Sequence, residues 1–217
     1  MSKNSVSILD YGSGNLFSVS RVFEYCNADV NIVNNPKQLT NAKRIVVPGV
    51  GAFKNCIDGI NLLGFNDAIL EANEKKIPIL GICVGMQILF DYSEEFGNHK
   101  GLGIFEGGVK QILSSSQCNK SKIRVPHVGW NSLVKSVENR TWSNSILENL
   151  PSRKNWFYFV HSYAAFPLDN KITLADCFYG DNRICSVVQK DNIFATQFHL
   201  ELSGKAGIRL VENFLKI

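Results

Sequence analysis

The sequence predicts an α/β domain: a mostly parallel central sheet with flanking helices, joined in the second half by additional antiparallel strands. Three observations carry this reading. Short apolar runs alternate with helical patterns as far as Phe90, as βα units do. Three of those runs end in Gly-bearing turns, Asp10–Asn15, Pro48–Phe53 and Gly81–Gly85. From Phe157 onward, strand follows strand until a last helical segment. A length of 217 residues fits a single domain over 1–217 with a substantial core.

The first unit is the apolar run Val6–Leu9, closed by Asp10-Tyr11-Gly12-Ser13-Gly14-Asn15. Helical spacing follows at Leu16, Val19, Val22, Phe23 and Cys26. Phe17 stands where a dinucleotide fingerprint would carry its third glycine, so no such site is expected. Asn15 is either a helix cap or a residue facing solvent at the carboxyl edge of the sheet. Val30–Val33 reads as a strand, followed by a polar loop through Asn41. Arg44–Val47 is the third strand and runs into Pro48-Gly49-Val50-Gly51-Ala52-Phe53. Those glycines let backbone N–H groups turn toward a ligand, as an oxyanion hole requires; an ordinary βα loop is the alternative. Asn66–Asn73 reads as a helix.

The fourth strand, Ile77–Leu80, leads into Gly81-Ile82-Cys83-Val84-Gly85, and helical spacing resumes at Val84, Gln87, Ile88 and Phe90. This is the strand–nucleophile–helix turn, with cysteine in the place of serine. A nucleophile at so sharp a turn sits in strained backbone, and a Cβ two residues to either side would clash. The helix dipole behind it favours a thiolate. The alternative is a buried structural cysteine between packing glycines.

Asp91–Gly108 is polar and Gly-rich, without a regular pattern. Val109–Leu113 reads as an edge strand, and Ser114–Ser121 as a mobile polar loop. Pro126-His127-Val128-Gly129-Trp130-Asn131 has the mixed composition of a surface-site loop, although a lone His127 is more often structural. Strands are expected over Phe157–Tyr163, Ile172–Phe178, Cys185–Gln189 and Ile193–Phe198. Gly204–Ile217 is an amphipathic helix with Gly207, Leu210, Val211, Phe214 and Leu215 on one face. His199 and Glu201 are two residues apart, so on extended backbone a carboxylate would orient an imidazole.

Composition excludes several classes. The chain is 45% hydrophobic and 19% charged, with a formal charge of +4. Its densest basic cluster, Lys120–Arg124, has no interleaved aromatics, so no nucleic-acid partner is expected. There is no secretory pattern at Met1–Tyr11, and no apolar run approaches the roughly 18 residues of a membrane span. Six cysteines without a CxxC pair and four dispersed histidines argue for a reduced, cytoplasmic protein with no metal and no cofactor. Cys83, His199 and Glu201 then stand in the chain order of nucleophile, base and orienting acid, which is the logic of acyl transfer.

Gly81-Ile82-Cys83-Val84-Gly85-Met86-Gln87 together with Gln197-Phe198-His199-Leu200-Glu201 resembles the class I, triad-type glutamine amidotransferases. Within them, Asp10–Asn15, Pro48–Phe53, Pro126–Asn131 and Tyr158–Tyr163 are similar to the glutaminase subunits of imidazole glycerol phosphate synthase. The likeness runs from about Val6 to Leu215. It implies a flavodoxin-like sheet, L-glutamine as substrate, and a γ-glutamyl thioester on Cys83. It places Gly49, Val50, Gly51, Val84, Gln87, His161, Ser162 and Tyr163 around the glutamine and its oxyanion. It also implies a heterodimer with a (β/α)8-barrel cyclase subunit in histidine biosynthesis. Asn15, His127 and Trp130 would lie at that interface or along the ammonia passage. The family usually reads His-Pro-Glu-Lys-Ser where this chain has His199-Leu200-Glu201-Leu202-Ser203, and the lysine pairs with an acid of the synthase subunit. That departure leaves an alternative: the same glutaminase feeding another synthase, such as one forming acetamidino sugars of bacterial surface polysaccharides. A binding module that kept the fold without the catalysis is the reading of a different class.

Overall fold

The computed structural model describes residues 4–113, 123–136 and 141–217. The Ser114–Ser121 loop, Cys118, Met1–Lys3 and most of the Lys120–Arg124 cluster lie outside the described residues.

The first half builds four of the five parallel strands of one sheet. β1 (Ser5–Leu9), β2 (Asp29–Val33), β3 (Ile45–Val47) and β4 (Ile79–Ile82) are joined by β14 (Ile193–Thr196). The eight-stranded order is β2-β1-β3-β4-β14-β13-β12-β9, and the last three strands run antiparallel to their neighbours. These are β9 (Val134–Lys135), β12 (Thr173–Tyr179) and β13 (Asn182–Lys190). β3 and β4 are buried at every position, which explains why they read as unbroken apolar runs rather than alternating ones. α1 (Leu16–Tyr25) follows β1, with Asn15 as its cap: the Asn15 side chain accepts the Ser18 amide. The closing helix α5 (Gly204–Lys216) buries Leu210, Val211, Phe214 and Leu215, the face expected of it. Arg44, buried beside β3, donates to the carbonyls of Phe214 and Leu215 and so satisfies the end of α5.

Several elements differ from the sequence reading. Two helices, α2 (Phe53–Leu62) and α3 (Phe65–Glu74), occupy the stretch where one was expected. In α2 the buried face of Phe53, Cys56, Ile57 and Ile60 is diluted by Gly59 and Asn61, which hid its period. The helix behind Cys83, α4, is a single turn, Val84–Gln87, so the dipole expected to favour a thiolate is that of one turn. The polar stretch after it contains β5 (Phe90–Ser93) and β6 (His99–Lys100). β7 (Phe105–Gln111) is no edge strand but an inner one, in a second sheet ordered β11-β7-β5-β6.

Pro126–Asn131 is largely strand rather than loop: β8 (His127–Ser132) pairs with β10 (Trp156–His161) as an antiparallel ribbon. The single strand expected over Phe157–Tyr163 breaks at Ser162. β10 ends there, and β11 (Tyr163–Pro167) leaves for the second sheet. Among the described residues, no helix is long and apolar enough to cross a membrane.

Candidate active site

The sequence folds the nucleophile turn by backbone contact. Cys83 sits between β4 and α4 at φ 55°, ψ −111°, a strained pair for a residue with a side chain. Its N–H donates to Thr196 O at 2.8 Å, so the pairing of β4 with β14 extends into the turn. A Cβ on Gly85 would lie 1.9 Å from Val47 O, and one on Gly49 would lie 2.5 Å from Gly85 N. The turn therefore nests against the end of β3 and its loop with no side chain between them.

His199 reaches Cys83 from the end of β14. The expectation of extended backbone there does not hold: β14 stops at Thr196, and Leu200–Leu202 form a 3₁₀ turn that His199 caps. The turn still brings His199 Nδ1 within 2.7 Å of Glu201 Oε1. Tyr158 in β10 accepts the His199 N–H at 2.9 Å. Ser203 fastens the same point, accepting the Tyr158 N–H at 3.1 Å and donating to His199 O. Burial by itself would push the His199 imidazole down. Hydrogen bonds to Cys83 and Glu201 outweigh burial and raise it to about 10, so the ring stays protonated through neutral pH. Glu201 keeps its second oxygen, Oε2, buried without a partner.

These groups open into a cavity of about 300 Å³. Of the residues singled out in the sequence, Asn15, Val50, Gly51, Cys83, Val84, Gln87, His161, Ser162, Tyr163, His199 and Glu201 line it. Gly49 lies just behind, in the contact with Gly85. Trp130 and His127 do not line it. Trp130 is about half exposed on the outer face of β8, whereas His127, expected at an interface or passage, is buried on the inner face. There it stacks on Phe159 and Tyr179.

Backbone carbonyls settle the His127 and His161 tautomers. Tyr163 O can only accept, so His161 donates to it from Nδ1 at 2.9 Å. His161 Nε2 then accepts from His127 Nδ1 at 3.1 Å. Burial holds both rings neutral, lowering His127 to about 4 and His161 to about 3.

In the Pro48–Ala52 loop the Val50 amide is already engaged. The Val50 N–H points to Ser13 Oγ at 3.2 Å, and that hydroxyl returns a bond to Val50 O at 2.7 Å. Val84, the first residue of α4, has an amide with no acceptor inside its helix. Val160, inside the Tyr158–Tyr163 stretch singled out in the sequence, and Leu202 also line the cavity, and sequence reasoning missed Glu95. Glu95 also caps α2, its carboxylate accepting the Phe53 N–H at 2.6 Å. An acidic residue in a featureless polar stretch gave no signal until the fold brought it beside Gly51.

Among the described residues, no three of His, Cys, Asp and Glu converge as a metal would need. A cysteine on a strained βα turn, an imidazole held by a buried carboxylate and a cavity beside them make an arrangement suited to acyl transfer. The class-I glutamine amidotransferase profile matches residues 7–217.

The chain belongs to the class-I glutamine amidotransferases.

It is 42% identical over 214 residues to imidazole glycerol phosphate synthase subunit HisH 1 of Legionella pneumophila strain Lens, covering 99% of this chain and 100% of that one. It is 40% identical over 211 residues to the HisH subunit of Acinetobacter baylyi, covering 97% of each. In fold it matches a crystal structure of a glutamine amidotransferase with a TM-score of 0.72 at 20% identity, covering 97% of both chains.

Proposed function

We propose that this amidotransferase, read as one domain over 1–217, is the glutamine-hydrolysing subunit of an imidazole glycerol phosphate synthase of histidine biosynthesis. The carrying observation is the buried Cys83–His199–Glu201 line opening into a cavity sized for one amino acid. Glutamine enters with its side-chain amide at Cys83. The sulfur adds to the amide carbon, and the carbonyl oxygen takes the negative charge. Val84 N–H, and a donor from the Val50–Gly51 loop once turned inward, hold that oxyanion. Imidazolium His199 gives its proton to the nitrogen, the C–N bond breaks, and ammonia leaves a thioester behind. Water then adds as His199 takes its proton. The C–S bond breaks, and glutamate and the thiolate are restored. Glu201 holds the ring throughout. The Glu95 carboxylate suits the α-ammonium of glutamine, and Ser162 and Tyr163 bound the other wall.

The resting loop supports a subunit that waits for its partner, because Ser13 holds the Val50 amide away from the cavity. The partner surface we assign is the outer face of the β8–β10 ribbon. Val128, Trp130 and Val160 lie exposed there, and Leu202 is exposed nearby. Val160 and Leu202 also line the cavity, so a subunit seated on them covers its mouth and receives ammonia away from bulk water. A (β/α)8-barrel cyclase is the partner that the resemblance implies, and the HisH names of the relatives favour it over a polysaccharide synthase. Leu202 makes the contact beside the triad apolar instead of ionic. The free thiols of all five described cysteines fit a cytoplasmic setting.

The test is glutamate release by the chain alone, then with a barrel cyclase subunit and its nucleotide ligand. Strong stimulation is expected. No stimulation, with Cys83 still labelled by a glutamine-analogue electrophile, would overturn the partner assignment and leave the glutaminase.

A further inference from the structure

Gln197 is fully buried between β14 and His199, and its backbone is anchored by an N–H bond to Ser186 O at 2.9 Å. The surroundings decide which way its amide faces. Tyr163 O lies 3.0 Å from one end of the Gln87 amide, which must therefore be the nitrogen, Nε2. The other hydrogen of that nitrogen goes to Gln197 at 3.0 Å, so Gln197 presents its oxygen there. Its own Nε2 then faces the opposite way, 3.7 Å from Cys83 Sγ. Tyr163 O is itself held by a second donor, His161 Nδ1, so the start of this chain of bonds cannot rotate freely.

We propose that Gln197 is a further catalytic residue, donating an amide N–H to the Cys83 sulfur as a second donor beside the imidazolium. Gln87 is its positioning residue, stopping the Gln197 amide from turning over. The chemistry of the sulfur calls for such a donor. A buried thiolate has several lone pairs, and His199 serves one side only. A hydrogen bond to an ionised acceptor is about twice as strong as one to a neutral acceptor. Gln197 therefore favours the anion before attack and again when the thioester breaks and the anion returns. An amide also offers no proton that could be transferred, so it does not compete with His199. The benefit for turnover rests on the glutaminase reading, whereas the contact with sulfur is measurable without glutamine.

The experiment is alkylation of Cys83 by iodoacetamide at pH 7, followed on the Cys83 peptide by mass spectrometry. Gln197→Met keeps the volume and removes the donor. It should slow labelling about tenfold and, in the stimulated complex, lower kcat about 10- to 100-fold with KM within about twofold, the size of one charge-assisted hydrogen bond. Gln87→Met should slow labelling about threefold, and the double variant should be no slower than Gln197→Met alone. A folded Gln197→Met that labels at the wild-type rate overturns the proposal. If Gln197→Met does not fold, a wild-type labelling rate in Gln87→Met overturns it instead. Slower labelling in both variants, alongside no glutamine turnover by the wild-type complex and no labelling of Cys83 by a glutamine-analogue electrophile, would keep this contact and discard the glutaminase reading.

Discussion

His199 and the His127–His161 pair are all buried, and His199 and His161 line the same cavity, yet they hold opposite charge states. Burial pushes all three down, and His161 and His127 settle at about 3 and 4. His199 rises to about 10 because it bonds Cys83 and the buried carboxylate of Glu201. The pair has only carbonyl, amide and imidazole partners. Depth in the protein therefore does not decide the proton; the hydrogen bond to Cys83 and the carboxylate of Glu201, 2.7 Å away, do. One region holds a charged ring and the other two neutral ones.

The largest effect expected on this contrast is to remove the charged ring. His199→Ala should lower stimulated kcat by about 10⁴-fold or more, whereas Glu201→Gln should cost about a hundredfold less because packing and the Tyr158 and Ser203 bonds keep the ring placed. Steady-state kinetics in the complex read both, and the reverse order would break the assigned roles. The second prediction converts one region into the other. In Glu201→Gln, NMR titration of labelled imidazoles should find His199 losing its proton at lower pH than in the wild type. Third, Ser13→Ala frees the Val50 peptide and should raise unstimulated glutamate release about 3- to 10-fold, the size of one neutral hydrogen bond.

The fourth prediction concerns the neutral pair. Folded values below the ordinary one mean that the unfolded chain binds more protons in acid. Their stabilising contribution is therefore complete above about pH 6.5 and is lost as pH falls toward 4 and 3. Removing one ring, as in His127→Gln, should flatten the fall of urea-unfolding stability between pH 6 and 4 by up to about 1.4 kcal/mol per pH unit. The smallest effect is expected at Leu202→Lys, an exposed position where affinity for a conventional barrel subunit should rise a few-fold.

Much of the first half was legible because β1, β3 and β4 are buried on both faces and its turns carry glycines with a steric purpose. β3, β4 and the Cys83 turn follow directly from Val46-Val47, Ile79-Leu80 and the Gly81–Gly85 spacing. The second half was read less well because pairing partners, not local pattern, decide its strands. Nothing local says that Ser162 separates two sheets, or that Val109 belongs to an inner strand. The pair His199 and Glu201 was legible as chemistry, but its geometry comes from a 3₁₀ turn rather than a strand. Glu95 and the orientation of Gln197 were not legible at all, since both depend on neighbours more than 40 residues away in sequence.

The seam where Gly49 meets Gly85, and Gly85 meets Val47, has a mechanical meaning. Two bare backbones mesh there like gear teeth with no padding. Sliding one past the other would drive main-chain atoms into contact, so the loop is held against sideways movement past the Cys83 turn. Rotation of a single peptide plane sweeps much less volume. The loop can thus turn a donor by torsion while its distance from the Cys83 turn stays fixed.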